Sequence, residues 1–269
     1  MKTKLLFFAL FLSSLCFSQL DEKFYQPGKT MKPIENLKFH EFSIPAEKDT
    51  ITGIFIKSNL VPKATVLFFH GSGGNVSSYT FMAKPLADAG YQVMMIDFRG
   101  YGKSSGTPTH QNIQSDGQKF LEYALSLPQT TGKPVIIYGA SMGSQIATHL
   151  AKNNPTVIEA LILDGAMSSH ADIASHFSPE NAAMIQSIPF PYSAKEDVKT
   201  LTMPKLFIHS AADKMIPIAQ AQIIFDNAPE PKKFLTYEGD HLEGMVKNGS
   251  EIIKNIEALM KKQKKRYLR

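Results

Sequence analysis

From residue 64 to residue 237 the chain alternates between short, solidly apolar runs and longer stretches of helical periodicity. The runs are 64–69, 92–96, 134–138, 159–163, 205–208 and 233–236. Runs of this length without polar interruption suit strands of a parallel sheet buried on both faces. Between them, 79–89, 115–127, 142–152 and 219–225 space their apolar residues as helices do, and a final helix is predicted from 250 to about 262. Strand and helix in alternation predict a mostly parallel, doubly wound α/β sheet with crossovers of the common hand. Ahead of it, 37–44 and 50–57 alternate apolar and polar residues around Pro45, which predicts an antiparallel pair. The stretch 165–200 breaks the rhythm with Met, His, Phe and Pro and no clear strand, and is read as a small helical cap inserted into one domain.

Length and composition agree with that picture. At 269 residues and 43% hydrophobic, the chain is near the upper limit of what one core serves. The first eighteen residues read as an export signal: Lys2 and Lys4, the apolar run 5–12, then Cys16-Phe17-Ser18 as a small-x-small cleavage site. The mature chain, 19–269, is then periplasmic or secreted. An uncleaved membrane anchor is the weaker reading, because the run is well short of the roughly 18 residues a spanning helix needs. A lipid on Cys16 is disfavoured by the bulky Leu15 before it. Cys16 is the only cysteine, so cleavage leaves no disulfide, thiolate metal site or cysteine nucleophile.

The net charge of +5 misleads. Two lysines lie in the signal and six of the Lys and Arg in the last nine residues, so 19–260 carries 21 cations against 24 anions, a net of −3. A nucleic-acid surface needs basic residues spread over a folded face, and this distribution excludes it as a partner. The tail from Lys261 to Arg266 reads first as a solvated helix end, and second as a weak contact for anionic membrane lipid.

Four segments carry chemistry. Residues 135–143 read V-I-I-Y-G-A-S-M-G, a strand, a G-x-S-x-G turn and the start of a helix. That context exposes Ser141 Oγ above the sheet edge as a nucleophile, and the helix start offers the Met142 N–H to a developing oxyanion. Upstream, the run ending in Phe69 enters His70-Gly71-Ser72-Gly73-Gly74-Asn75, where a glycine-rich turn presents the Ser72 N–H as the second oxyanion donor. Neither phosphate-cradling spacing is present there, which disfavours nucleotide binding. His70 itself reads as a structural hydrogen-bonding residue.

The other two segments hold the remaining partners, expected after the serine as acid and then histidine. Asp213 follows the strand 205–208, and His241 follows 233–236, so both fall at the carboxyl edge of the sheet. Asp164, also just past a strand, is the alternative acid. His149 reads as structural, while His170 and His176 are placed to touch substrate from the cap.

The set H-G-S-G-G-N, D-F-R-G-Y-G-K-S-S-G at 97–106, G-A-S-M-G, A-A-D-K-M-I-P and G-D-H resembles the α/β-hydrolase superfamily, in particular its short-cap serine hydrolases related to depalmitoylase-like esterases. The resemblance spans about residues 40–260 and implies the α/β-hydrolase fold and a Ser141–His241–Asp213 triad. It also implies structural roles for Asp97, Arg99 and Ser104. The expected activity is hydrolysis of an ester or thioester of a small-molecule acyl substrate through an acyl-enzyme, without cofactor or metal. The same triad would serve a peptidase or acyltransferase, and the fold alone would serve a non-catalytic secreted binding protein. Met167, Phe177, Met184 and Ile188 of so short a cap are expected to line only a modest pocket, favouring short and medium acyl groups.

Overall fold

The protein is described by a computed structural model that covers residues 23–267, with side chains to residue 261. The expected export signal, with the cleavage site read at 16–18 and Cys16, lies outside the described residues. So do the side chains of nearly all of the basic tail.

An eight-stranded sheet runs through the molecule: β1 (Phe39–Ala46), β2 (Asp49–Ile56), β3 (Thr65–Phe69), β4 (Gln92–Asp97), β5 (Val135–Ala140), β6 (Ile158–Asp164), β7 (Lys205–Ser210) and β8 (Lys232–Tyr237). Their spatial order is β8-β7-β6-β5-β3-β4-β2-β1. The β1–β2 and β2–β4 pairs are antiparallel and all others parallel. The antiparallel pair was expected one or two residues from where it lies, and it closes through Glu47 at φ +53°. Every residue of β3, β4, β5 and β7 is buried, which accounts for the apolar runs at their centres.

Nine helices flank the sheet among the described residues: α1 (Thr80–Asp88), α2 (His110–Ser126), α3 (Gly143–Asn153), α4 (His170–Phe177), α5 (Ala182–Gln186), α6 (Ala194–Asp197), α7 (Ile218–Asn227), α8 (Gly244–Lys247) and α9 (Gly249–Tyr267). α2 begins five residues ahead of the apolar periodicity because the Thr109 side chain caps it, accepting the Asn112 N–H at 3.1 Å. Two apolar clusters, one on each face of the sheet, form the core. One is gathered around Phe69, Ile137 and Phe207, and the other around Phe68, Ile136 and Leu206. Three short helices, α4 to α6, occupy the stretch between β6 and β7.

The strand order reverses at β3, whose neighbours are β4 on one side and β5 on the other. A doubly wound sheet opens a crevice at such a reversal, beyond the carboxyl ends of the strands. The turn after β3 holds residues 70–74, the turn after β5 holds Ser141, and the loops after β7 and β8 hold Asp213 and His241.

Candidate active site

Ser141 sits at φ +53°, a left-handed conformation that costs a non-glycine residue energy and persists only where its surroundings impose it. The surroundings are identifiable. The Ser141 N–H donates to the Asp164 carbonyl at 2.8 Å, and the next residues enter α3 at once, with Ser144 N–H bonded to the Ser141 carbonyl at 3.0 Å. The flanking glycines serve space rather than turning. A Cβ on Gly139 would lie 2.7 Å from Ala147 Cβ and Ser144 Cα, and one on Gly143 would lie 2.2 Å from the Phe69 carbonyl oxygen. Only glycine lets α3 start this close to β5 and β3.

His241 Nδ1 lies 2.6 Å from Asp213 Oδ2, so the ring donates from Nδ1 to the carboxylate. The other oxygen, Oδ1, accepts the N–H groups of Met215 at 2.9 Å and Ile216 at 2.8 Å. Burial works to raise the Asp213 carboxyl. The hydrogen bonds from His241 and the Ile216 N–H outweigh it and hold the group below its ordinary value. His241 packs directly over Gly165, where a Cβ would lie 2.7 Å from the ring Cε1. Its Nε2 is buried and makes no hydrogen bond among the described residues. It has no hydrogen bond to Ser141 Oγ, and such bonds often form only in the Michaelis complex.

Ser141, Met142, Ser72, His241 and Leu242 all line one pocket of about 1130 Å³. Its walls are largely apolar, built from Met167, Ile173, Phe177, Met184, Ile185 and Ile188 of the 165–200 stretch together with Met215 and Ile216. This exceeds the upper end of the usual range for small-molecule sites, about 1,000 Å³. The expectation of a modest pocket does not hold. The cap was judged alone, whereas Lys23, Phe24 and Gln26 from the amino-terminal segment and the loop after Asp213 complete the enclosure. Neither Ser72 N–H nor Met142 N–H is spent on a backbone partner among the described residues.

The family is decided by a comparison over half of the chain: residues 64–200 match the family described as alpha/beta hydrolase fold. The chain belongs to that family. Curated relatives include the uncharacterized protein YfhR of Escherichia coli strain K12, 28% identical over 200 residues that cover 72% of this chain and 69% of the relative. Protein bem46 of Schizosaccharomyces pombe is 29% identical over 174 residues, covering 64% of this chain and 58% of its own length. Among solved structures, the esterase Pf2001 of Pyrococcus furiosus superposes with a TM-score of 0.71 at 15% identity, covering 88% of this chain and 98% of that one. Est1E of Butyrivibrio proteoclasticus, solved with ferulic acid bound, gives 0.66 at 18% identity, over 85% and 100%.

The remaining polar residues of this α/β-hydrolase fold take assignable places. His70 is fully buried, its Nδ1 2.7 Å from the Gly71 carbonyl, and burial lowers its pKa to about 4. Asp97 accepts the Val76 N–H at 2.8 Å, Arg99 is bound to Asp116 at 2.7 Å, and Ser104 donates to the Asp97 carbonyl at 2.6 Å, so all three tie loops together. His149 on α3 holds Asp197 of α6 at 2.8 Å. Two expectations fail. His170 and His176 do not line the pocket: His170 is buried among Phe24, His110 and Phe190, and His176 packs on Phe177. His176 lies off the helix face that carries Ile173, Ala174 and Phe177 to the pocket, whereas His170, on that same face one turn earlier, is buried against Phe24 and Phe190, which line the pocket in its place.

Two residues near the triad carried no sequence signal of their role. His209 Nε2 lies 2.8 Å from the Ile216 carbonyl and 3.5 Å from Asp213 Oδ2, bracing the acid loop. Asp164 is fully buried below His241. Burial raises its carboxyl to about 7 against the hydrogen bond from Tyr138 Oη at 2.6 Å, and its Oδ1 has no hydrogen bond among the described residues. The chain order of motifs does not report on either.

Proposed function

We propose that this protein is a serine hydrolase that cleaves a carboxylic ester or thioester through an acyl-enzyme on Ser141. The observation that carries the reading is the convergence on one apolar pocket of a serine held at φ +53° and a histidine already bonded at 2.6 Å to a carboxylate. In the reaction Ser141 Oγ attacks the acyl carbon and its proton passes to His241 Nε2, while the carbonyl oxygen gathers negative charge. The N–H groups of Met142 and Ser72 receive that charge. Collapse of the tetrahedral species expels the alcohol or thiol, which takes the proton from His241. Water, deprotonated by the same histidine, then releases the acid.

The apolar lining favours an acyl group over a peptide, because a peptide backbone placed there would leave its N–H and C=O groups without partners. The test is labelling by a fluorophosphonate probe, competed by acyl esters, acyl thioesters and a peptide amide. Wild type should label, Ser141→Ala should neither label nor turn over an activated ester, and the esters should compete better than the amide. Labelling of folded Ser141→Ala at the wild-type rate refutes the nucleophile.

A further inference from the structure

The turn that carries Ser72 contains Gly71, Gly73 and Gly74, and glycine brings more backbone freedom than any other residue. An oxyanion donor must be held to within about 0.5 Å of its productive place. The turn cannot supply that precision alone, and the source of it lies 45 residues away in sequence. Residues 26 and 27 pair in parallel with Gly73 and Gly74. The Gln26 N–H donates to the Ser72 carbonyl at 2.9 Å, and the Gly28 N–H to the Gly74 carbonyl at 2.8 Å.

The clamp is built from both sides. Tyr101, fully buried, donates its hydroxyl to the same Ser72 carbonyl at 2.7 Å, and Tyr79 donates to the Gly73 carbonyl at 2.9 Å. Asn75 returns the contact, its Nδ2 donating to the carbonyls of Gly28 at 3.0 Å and Thr30 at 2.9 Å. The backbones approach so closely that a Cβ on Gly28 would lie 2.9 Å from Gly74 Cα. The segment is anchored in turn by Tyr25, buried in the core with its hydroxyl 2.5 Å from His110 Nδ1, and by Lys29, whose Nζ donates to the Ser104 carbonyl at 2.8 Å.

We infer that the amino-terminal segment 23–32 is a positioning element of the oxyanion hole: the Gln26 N–H and the Tyr101 hydroxyl together pin the Ser72 carbonyl, on the peptide that follows the one carrying the Ser72 N–H, and so hold in place the residue whose N–H meets the developing oxyanion. This rests on the serine-hydrolase reading above. It assigns a role in the reaction to a stretch outside the matched family region, and to a tyrosine of the 97–106 loop that contacts neither the nucleophile nor the base. The segment also lends Phe24 to the pocket wall, so the two roles must be separated experimentally.

The separating variant is Gln26→Pro. It removes one backbone donor, at a position already followed by Pro27, while Gln26→Ala keeps that donor and loses only the side chain. On a short activated ester, Gln26→Pro should lower kcat by roughly tenfold with KM within about twofold, since removing an oxyanion donor altogether costs about 10²–10³. Affinity for an alkyl boronate, whose tetrahedral serine adduct places an oxygen in the hole, should fall in the same proportion. Gln26→Ala measures what the pocket-lining side chain contributes by itself, and Gln26→Pro should fall roughly tenfold below it in both. Tyr101→Phe, which removes the second donor to the same carbonyl, should also lower kcat at constant KM, and it decides the matter if Gln26→Pro does not fold. Wild-type kcat in folded Gln26→Pro, or in Tyr101→Phe, overturns the inference, as does a rise in KM at unchanged kcat. A wild-type protein that neither labels nor hydrolyses any ester would instead overturn the functional reading, and this inference with it.

Discussion

Replacing Asp213 by asparagine exchanges one oxygen for an NH₂ group, and the surrounding bonds dictate which one. Oδ1 accepts two backbone N–H groups, from Met215 and Ile216, at 2.9 and 2.8 Å. The amide must keep its carbonyl there, because turning would set NH₂ against two donors and lose both bonds. The NH₂ then faces His241 Nδ1 across the distance that is now 2.6 Å, and Nδ1 must become an acceptor. The proton moves to Nε2, the nitrogen that should receive the Ser141 proton, and the negative charge that would stabilise the imidazolium is gone. Together these should lower kcat by up to roughly 10⁴-fold, with the fold retained because the loop bonds survive.

Asp164→Asn provides the contrast. The Asp164 carboxyl is raised to about 7, so the neutral side chain is already well populated near neutrality, and a carbonyl oxygen can still accept the Tyr138 hydroxyl. That variant should lose less than tenfold. The assay is kcat on an activated ester for both variants at pH 7.5, with circular dichroism to establish folding. If Asp164→Asn proves the crippled one while Asp213→Asn retains activity, the acid is Asp164 and the loop argument fails.

Two further outcomes are expected. Both ring nitrogens of His170 are buried without a hydrogen bond among the described residues, and burial first, then the charge of nearby His110, holds its pKa well below 6.5. Below pH 6.5 the unfolded chain takes up a proton that the folded ring refuses, so wild type loses stability there as pH falls. His170→Phe should be free of that loss, gaining on wild type by up to about 1.4 kcal/mol per pH unit below 6.5 in urea titrations; a constant difference between pH 7.5 and 5.5 would refute it. On substrate size, a pocket of about 1130 Å³ with apolar walls should bury each added methylene for about 0.8 kcal/mol, so kcat/KM should rise up to about fourfold per CH₂ from butyrate into the medium-chain esters and beyond. A maximum at acetate or butyrate would restore the preference expected from the cap alone.

Much of the architecture was legible before any coordinates, because its signals are local. Strands buried on both faces must be apolar throughout, and helices must show a periodic face, so the eight strands lie within about two residues of the runs that predict them. The turn at Ser141 was legible because a chain passing this tightly from β5 into α3 needs glycine at 139 and 143 for sheer lack of space. Asp213 and His241 followed from their place after late strands. Where local periodicity failed, so did the boundaries: α2 starts at a threonine cap rather than at an apolar residue.

What only the tertiary structure decided depends on contacts between distant segments. No periodicity records that Gln26 lies on Ser72, since the partners are two-residue stretches of glycine, proline and glutamine joined by backbone atoms that every sequence shares. The pocket's volume could not be read from the cap, because its walls come from residues 23–26, 167–190 and 215–216 at once. The burial of His170 turned on Phe24 and Phe190 packing against it, and the aim of His176 on the rotation of a helix of eight residues, too short for its own pattern to set. Sequence by itself determined which residues could do the chemistry and in what order they come; packing decided how they are held, because precision in a glycine-rich turn is supplied by whatever segment folds against it.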